Sequence, residues 1–373
     1  MIRRRFALVS MGAIPILAYQ GCTDSESLEF ATISPHDYQI AQDPLEFFVQ
    51  PQAKSAAAHL LKAISVRITP PGSAYKISQA VHYLHATGPV SGAIVPSITN
   101  AIEGERLLNI FIDDSVFREV FGPVTAPLLQ AQDAGVEIRY WRAGDANDGE
   151  LKHADTVLRT LAEWGISTNQ TLVLRNGVAT VGDIVRESMA SISHMRELPW
   201  TAEALMRYAP DSGVWLNRFG EQFSLQLLVD RMTNVPNEKG PCFGSHIPYA
   251  LAVVSRLAGD RFSPRLNRKV VNYLAQYRDG FITEFKQGMR ITDGEMNPRI
   301  YRAFVKWGHD LETFSVLAPE HRPRESTLSN LVELLHHLVV RHDGTDKRWQ
   351  YLPACHIAAA AANLAGIRFA PNP

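Results

Sequence analysis

Apolar residues recur at spacings of three and four along most of this chain, the period of one helix face. Ala57, Leu60, Leu61 and Ile64 form such a stripe and predict a helix over Lys54–Ile64. A second helix is expected over Tyr75–His85, and short ones over Glu105–Ile112 and Ser115–Phe121. Asp114 or Ser115 is the expected N-cap of the last of these, and Gly122-Pro123 its stop. Val136–Trp141 alternates and predicts a strand, and Gly144–Gly149 reads as a loop. Beyond Glu150 the helical period holds almost to the end. It predicts helices over Leu151–Trp164, Val181–Ser191 behind a Thr180 cap, Ala202–Tyr208 behind Thr201, and Leu225–Met232 behind Ser224. Ser245–Ala258, Ser263–Gln276, Pro298–Trp307, Asp310–Leu317, Glu325–Val340 and Ala354–Leu364 complete the series.

Short helices joined by Gly/Pro loops predict a mainly α protein of paired helices in layers, with no element longer than about five turns. The five consecutive alanines, Ala358–Ala362, point to a helix closely packed on its neighbours. Residues 53–149 read as a smaller, mostly helical region and residues 150–373 as the main helical domain. At 46% hydrophobic and 20% charged residues, the chain has an ordinary globular balance. Its net charge of −1 provides no field for nucleic acid, so that partner class is excluded.

The first 22 residues stand apart from this pattern. Arg3, Arg4 and Arg5 precede an apolar run, Phe6–Tyr19, and then Gly21-Cys22. Such a run has the length of an export signal and is short for a membrane span. The stretch resembles a bacterial lipoprotein signal with Cys22 as the lipidated residue, although Tyr19 and Gln20 depart from that pattern. It also resembles a twin-arginine leader, Arg3-Arg4-x-Phe6. Export to the periplasm or cell envelope is expected, with a lipid anchor at Cys22 as the means of membrane attachment. Residues 23–52 read as a tether or arm.

The candidate chemistry lies in the helical domain. Cys242 and His246 are four apart at a helix start, on one face about one turn from each other. Cys355-His356 offers the same pair of side chains. Together Cys242, His246, Cys355 and His356 could hold zinc. The competing reading is a Cys242–Cys355 disulfide, with both histidines satisfied by backbone. His309 and Glu312, i and i+3 on a helix, suit general acid/base work, or a histidine held by its neighbouring carboxylate. Trp215, Asn217 and Glu221 read either as the mouth of a pocket for a small molecule or glycan, or as a loop that caps adjacent helices.

Two stretches resemble the α/α-toroid proteins, the group of terpenoid cyclases and protein prenyltransferases. In Tyr273–Phe281 the resemblance implies that Gln276 ends a helix and Asp279-Gly280-Phe281 makes a turn. The Cys242–His246 helix start is similar to those that ring the central cavity of such barrels. A third stretch, Trp307-Gly-His-Asp-Leu-Glu312, resembles one in sugar epimerases of a related barrel. The resemblance implies a helix-hairpin barrel over the carboxy-terminal half. It transfers no activity, because the cyclase Asp-x-Asp-Asp and the transferase Asp-x-Cys are both absent. Two functional expectations follow: a binding or scaffold protein of the cell envelope, or a zinc enzyme with a Cys/His-lined cavity.

Overall fold

The computed structural model describes residues 51–65, 104–139, 153–193, 196–209, 211–236, 244–288, 298–341 and 352–366. Cys22, Cys242, the export segment, most of the tether, the Tyr75–His85 helix and the Gly144–Gly149 loop lie outside them. The described elements are α1 (Pro51–Ser65), α2 (Gly104–Ile112), α3 (Asp114–Phe121), β1 (Leu129–Ala131), β2 (Val136–Ile138) and α4 (Thr156–Glu163). Then come β3 (Thr171–Leu174), β4 (Gly177–Thr180), α5 (Val181–Ser191), α6 (Pro199–Tyr208), β5 (Val214–Leu216), β6 (Gln222–Ser224) and α7 (Leu225–Thr233). The series closes with α8 (His246–Ala258), α9 (Pro264–Gly288), α10 (Pro298–Val316), α11 (Glu325–Arg341) and α12 (Leu352–Leu364). The protein is mainly α, as its periodicity predicts. Among the described residues, no helix is long and apolar enough to cross a membrane.

Burial sorts the helices into two kinds. Every residue of α4 and α6 is buried, as is the run Trp307–Leu317 in α10 and Ala354–Ala365 in and just past α12. By contrast α9 buries one stripe, Leu266, Val270, Tyr273, Leu274, Tyr277, Phe281 and Phe285, and α11 another, Leu328, Leu331, Val332, Leu335, Leu338 and Val339. A helix apolar on one stripe faces solvent with the rest, whereas a helix buried all round lies inside. The buried helices pack in sequence, α4 on α6, α6 on α8, α8 on α10 and α10 on α12, and α12 packs in turn on α1. Helix α7 lies against α6 and α8, α9 against α8, and α11 against α10. The alanine run of α12 lets α10 and α1 approach closely.

Three two-stranded antiparallel hairpins interrupt the helices. Two of them repeat one device. The β3–β4 hairpin ends in Thr180, which caps α5 in a capping box with Asp183. The β5–β6 hairpin ends in Ser224, whose hydroxyl accepts from Leu227 N at 3.1 Å and caps α7. In each unit the capped amphipathic helix is followed by a buried one, α6 or α8. Both caps are predicted from sequence; the hairpins before them are not, because each strand has only three or four residues.

Several expected boundaries shift. Helix α4 begins at Thr156 rather than Leu151, and residues 153–155 form its approach. The cap of α3 is Asp113, which accepts from Ser115 N at 2.8 Å. Helix α6 starts at Pro199, so Thr201 is inside it and bonds Asp155 instead of capping. Gly308 does not divide α10, a single helix of 19 residues. Helix α9 runs 25 residues, beyond five turns and straight through Gln276, Asp279 and Gly280. The turn implied there by resemblance is absent, because the buried stripe continues to Phe281 and Phe285 and draws the helix on.

Gly135, in the β1–β2 hairpin, sits where a Cβ would lie 2.1 Å from the Asp183 carbonyl oxygen of α5. Gly135→Ala is expected to cost about 1–3 kcal/mol through the forced backbone shift, measured by urea unfolding. An unchanged midpoint would show that the hairpin is free to move away.

Candidate metal centre

The buried helices bring six histidine and glutamate residues to one place. Three come from segments that enter successive buried helices: His153 before α4, Glu197 before α6, and His246 as the first residue of α8. Asp155 ties the first two together. It has a left-handed backbone, φ 57°, which Asp tolerates better than most residues. Its carboxylate accepts from Ser188 Oγ and Arg196 Nη2, each at 2.8 Å, and from Thr201 Oγ1. One acidic side chain thus joins α4, α5 and α6 beside both His153 and Glu197.

Glu197 bridges the two imidazoles. His153 Nδ1 lies 2.7 Å from its Oε2 and His246 Nδ1 lies 2.9 Å from its Oε1. The rings meet edge-on with centroids 4.6 Å apart, and the Trp200 ring is 4.6 Å from His246. The second half comes from helix faces. His309 and Glu312 are one turn apart on α10, and His356 on α12 has Nδ1 2.7 Å from Glu312 Oε2. The His309 ring lies 3.8 Å from that of His356 and stacks at 5.5 Å on that of His246. The result is a row of four imidazoles, His153, His246, His309 and His356, with a carboxylate at each half.

Burial acts on both His246 and Glu197, in the triad nearer solvent, the outer one. It lowers His246 to about 4 against the pull of Glu197, so this imidazole is neutral at pH 7. Burial alone would raise Glu197, but the hydrogen bonds from His153 and His246 hold it at about 2, ionised. Both folded-state values lie below the unfolded ones, 6.5 and 4.5. The unfolded chain therefore binds more protons in these windows, and acid favours unfolding. The His246 contribution is complete above pH 6.5 and lost as pH falls to about 4; that of Glu197 is lost between 4.5 and about 2. A chelator-treated sample is expected to lose stability steadily below about pH 6.5, read as urea midpoints. His246→Gln is expected to flatten the upper part of that fall. A variant curve parallel to wild type would remove His246 as the cause.

Beneath this row lies a charged layer. Arg159 Nη2 is 2.8 Å from Glu163 Oε1 and its Nε is 3.2 Å from Glu203 Oε2. The guanidinium lies 4.7 Å from the Trp200 ring and 5.0 Å from that of Tyr249. Tyr249 Oη donates to Glu163 at 3.3 Å. Trp200 thus separates His246 from the Arg159 layer and fixes the height of the ring.

The arrangement can hold divalent metal. His153, Glu197 and His246 each offer a ligand atom within 4.8 Å of the others, and so do His309, Glu312 and His356. Two histidines and one carboxylate are a donor set for zinc that leaves a position for water. Cys355 belongs to neither group; it is buried on α12, and burial, with Glu312 nearby, raises its thiol well above the ordinary value. Cys242, the other thiol of the expected set, is outside the described residues. The residues expected at a pocket mouth or as a helix-capping loop brace their own hairpin and tie it to the carboxy-terminal end of α5. Asn217 Nδ2 donates to Ile192 O and Glu221 Oε2, and its Oδ1 accepts from Phe219 N and Glu221 N. Trp215 Nε1 donates to Met189 O at 3.1 Å.

No protein-family model, curated protein or solved structure matches this chain.

Proposed function

We propose that this protein is a zinc-dependent enzyme whose catalytic ion is held by His153, Glu197 and His246. The observation that carries the reading is the Glu197 carboxylate joined to Nδ1 of both imidazoles at 2.7 and 2.9 Å. Three donors from three separate chain segments converge there around an ionised carboxylate and an imidazole kept neutral, the protonation states that metal binding needs. Within this triad His153 and Glu197 keep some contact with solvent, 13% and 15%, while His246 keeps 4%, as do His356 and Glu312. The outer side is therefore where water and substrate reach the ion. Zinc held by these residues would supply a water of lowered pKa and a Lewis acid for a carbonyl or phosphoryl oxygen, chemistry that suits hydrolysis. The succession of buried helices, each flanked by an amphipathic one, supports a barrel of the α/α-toroid kind. The Arg3–Arg5 and Phe6–Tyr19 pattern supports export, with Cys22 as the anchor.

The test is the metal content of the purified chain after dialysis, with ester and phosphoester turnover before and after chelation. Bound zinc, activity lost with chelator and restored by zinc, and loss of both in His153→Ala and His246→Ala are expected. A chain that neither retains nor takes up metal would overturn the reading and favour a noncatalytic envelope protein.

A further inference from the structure

We propose that His309, Glu312 and His356 form a second divalent-metal site beside the first, so that the centre is dinuclear. This inference rests on the reading that the outer triad holds zinc. Nothing in the helical period of α10 or α12 calls for these side chains. All three are buried, His309 at 2%, Glu312 at 3% and His356 at 3% exposure. Leu311, Phe314, Ile357, Ala360 and Ala361 are all fully buried on the same two helices, and the polar Asp310, Ser315 and Asn363 buried there bond Tyr277, Lys306 or one another. A carboxylate and two imidazoles in such a place cost folding free energy unless their charge and polarity are used.

The geometry uses them together. One ligand atom from each lies within 4.8 Å of the other two. All three stand on packed helices, not on loops, so their positions are set by the α10–α12 contact. His309 and Glu312 are i and i+3 on α10 and reach the same side. The donor set is two imidazoles and one carboxylate, the same as in the outer triad. Imidazole donors suit first-row transition ions and zinc; calcium and magnesium prefer all-oxygen sites. The two triads abut where His246 stacks on His309 at 5.5 Å. Two ions held side by side would together supply the charge that stabilises both oxygens of a displacement, which fits the hydrolytic reaction class. An ion on the outer triad would lie nearer solvent than one on the inner triad, whose Glu312 and His356 are 4% exposed.

Metal-free full-length chain is titrated with cobalt(II) and with zinc, and bound metal is counted by mass spectrometry. About two ions per chain are expected, falling to about one in Glu312→Gln and His356→Gln, and to about one in His153→Gln. Circular dichroism melts establish that each variant is folded. Because a variant could fail that control, the di-cobalt wild type is also read by electron paramagnetic resonance, where spin coupling between neighbouring ions is expected. One ion per chain that survives Glu312→Gln and His356→Gln would overturn the second site and leave the outer one standing. One ion lost in all three variants would mean a single shared ion and would also overturn it. Absence of binding in the wild type would overturn both.

Discussion

Replacing Arg159 by alanine is expected to destabilise the protein by about 3–5 kcal/mol, the cost of leaving buried charges without their counter-ion. Arg159 is 2% exposed and lies between Glu163 and Glu203, which are 8% and 0% exposed. Burial alone would lower the guanidinium pKa; the two carboxylates overcome that and raise it. Removing the cation leaves Glu163 with only the Tyr249 hydroxyl and Glu203 with only the longer Arg207 pair at 3.5 Å among the contacts described, and it also removes the plane that packs on Trp200 and Tyr249. The measurement is the urea unfolding midpoint at neutral pH. A double variant, Arg159→Met with Glu163→Leu, which keeps Glu203 paired with Arg207, is expected to recover much of the loss, because apolar residues of similar volume often replace buried ion pairs at little cost. A loss below about 1 kcal/mol in Arg159→Ala, the scale of an exposed pair, would show that water reaches this layer.

Replacing Glu197 by alanine is expected to lower zinc affinity by at least about 100-fold, since losing even an orienting partner costs about 10–100-fold. Glu197 is the one group that touches both outer histidines, and its two oxygens are divided between them. Without it the rings of His153 and His246 lose their common partner, and the triad loses its negative charge. Glu197→Gln keeps the shape and removes the charge, so it separates the two effects. An affinity for Glu197→Gln close to that of alanine would assign the role to charge; one near wild type would assign it to placement. Competition with a chromophoric chelator reads the affinity directly. An unchanged affinity in both variants would move the ion away from the outer triad.

His246, His309, Glu312 and His356 stand out in the sequence because each is a polar, metal-binding type set within an apolar helical period, and the fold brings these four together. His153 and Glu197 do not stand out. His153 falls inside the apparent period of Leu151–Trp164, and only the left-handed Asp155 shows that the helix starts after it. Glu197 precedes Leu198-Pro199, where it looks like an ordinary polar residue before a helix start. The available signal was positional, for His153, Glu197 and His246 all stand just before or at the start of a helix buried over all or most of its length. Seeing it required knowing which helices are inside. That followed poorly from sequence, because α4 and α6 bury Arg159, Glu163, Glu203 and Arg207, charges that normally mark a solvated face. Chain punctuation misled in the other direction. Gly280 and Gly308 are common helix breakers, yet tertiary packing along α9 and α10 outweighs a propensity cost of about 1 kcal/mol each.

The thiols most sharply divide the sequence reading from the structure. Cys355 lies next to His356 in the chain, but neighbours on a helix point about 100° apart, so it cannot share the direction of the imidazole that meets Glu312. The zinc K-edge absorption spectrum of the loaded full-length protein therefore tests the central claim most directly. The centre described here predicts only nitrogen and oxygen scatterers at about 2.0–2.2 Å, with the outer-shell pattern of imidazole rings. A sulfur shell at about 2.3 Å would contradict it and place the ion on Cys355 or Cys242.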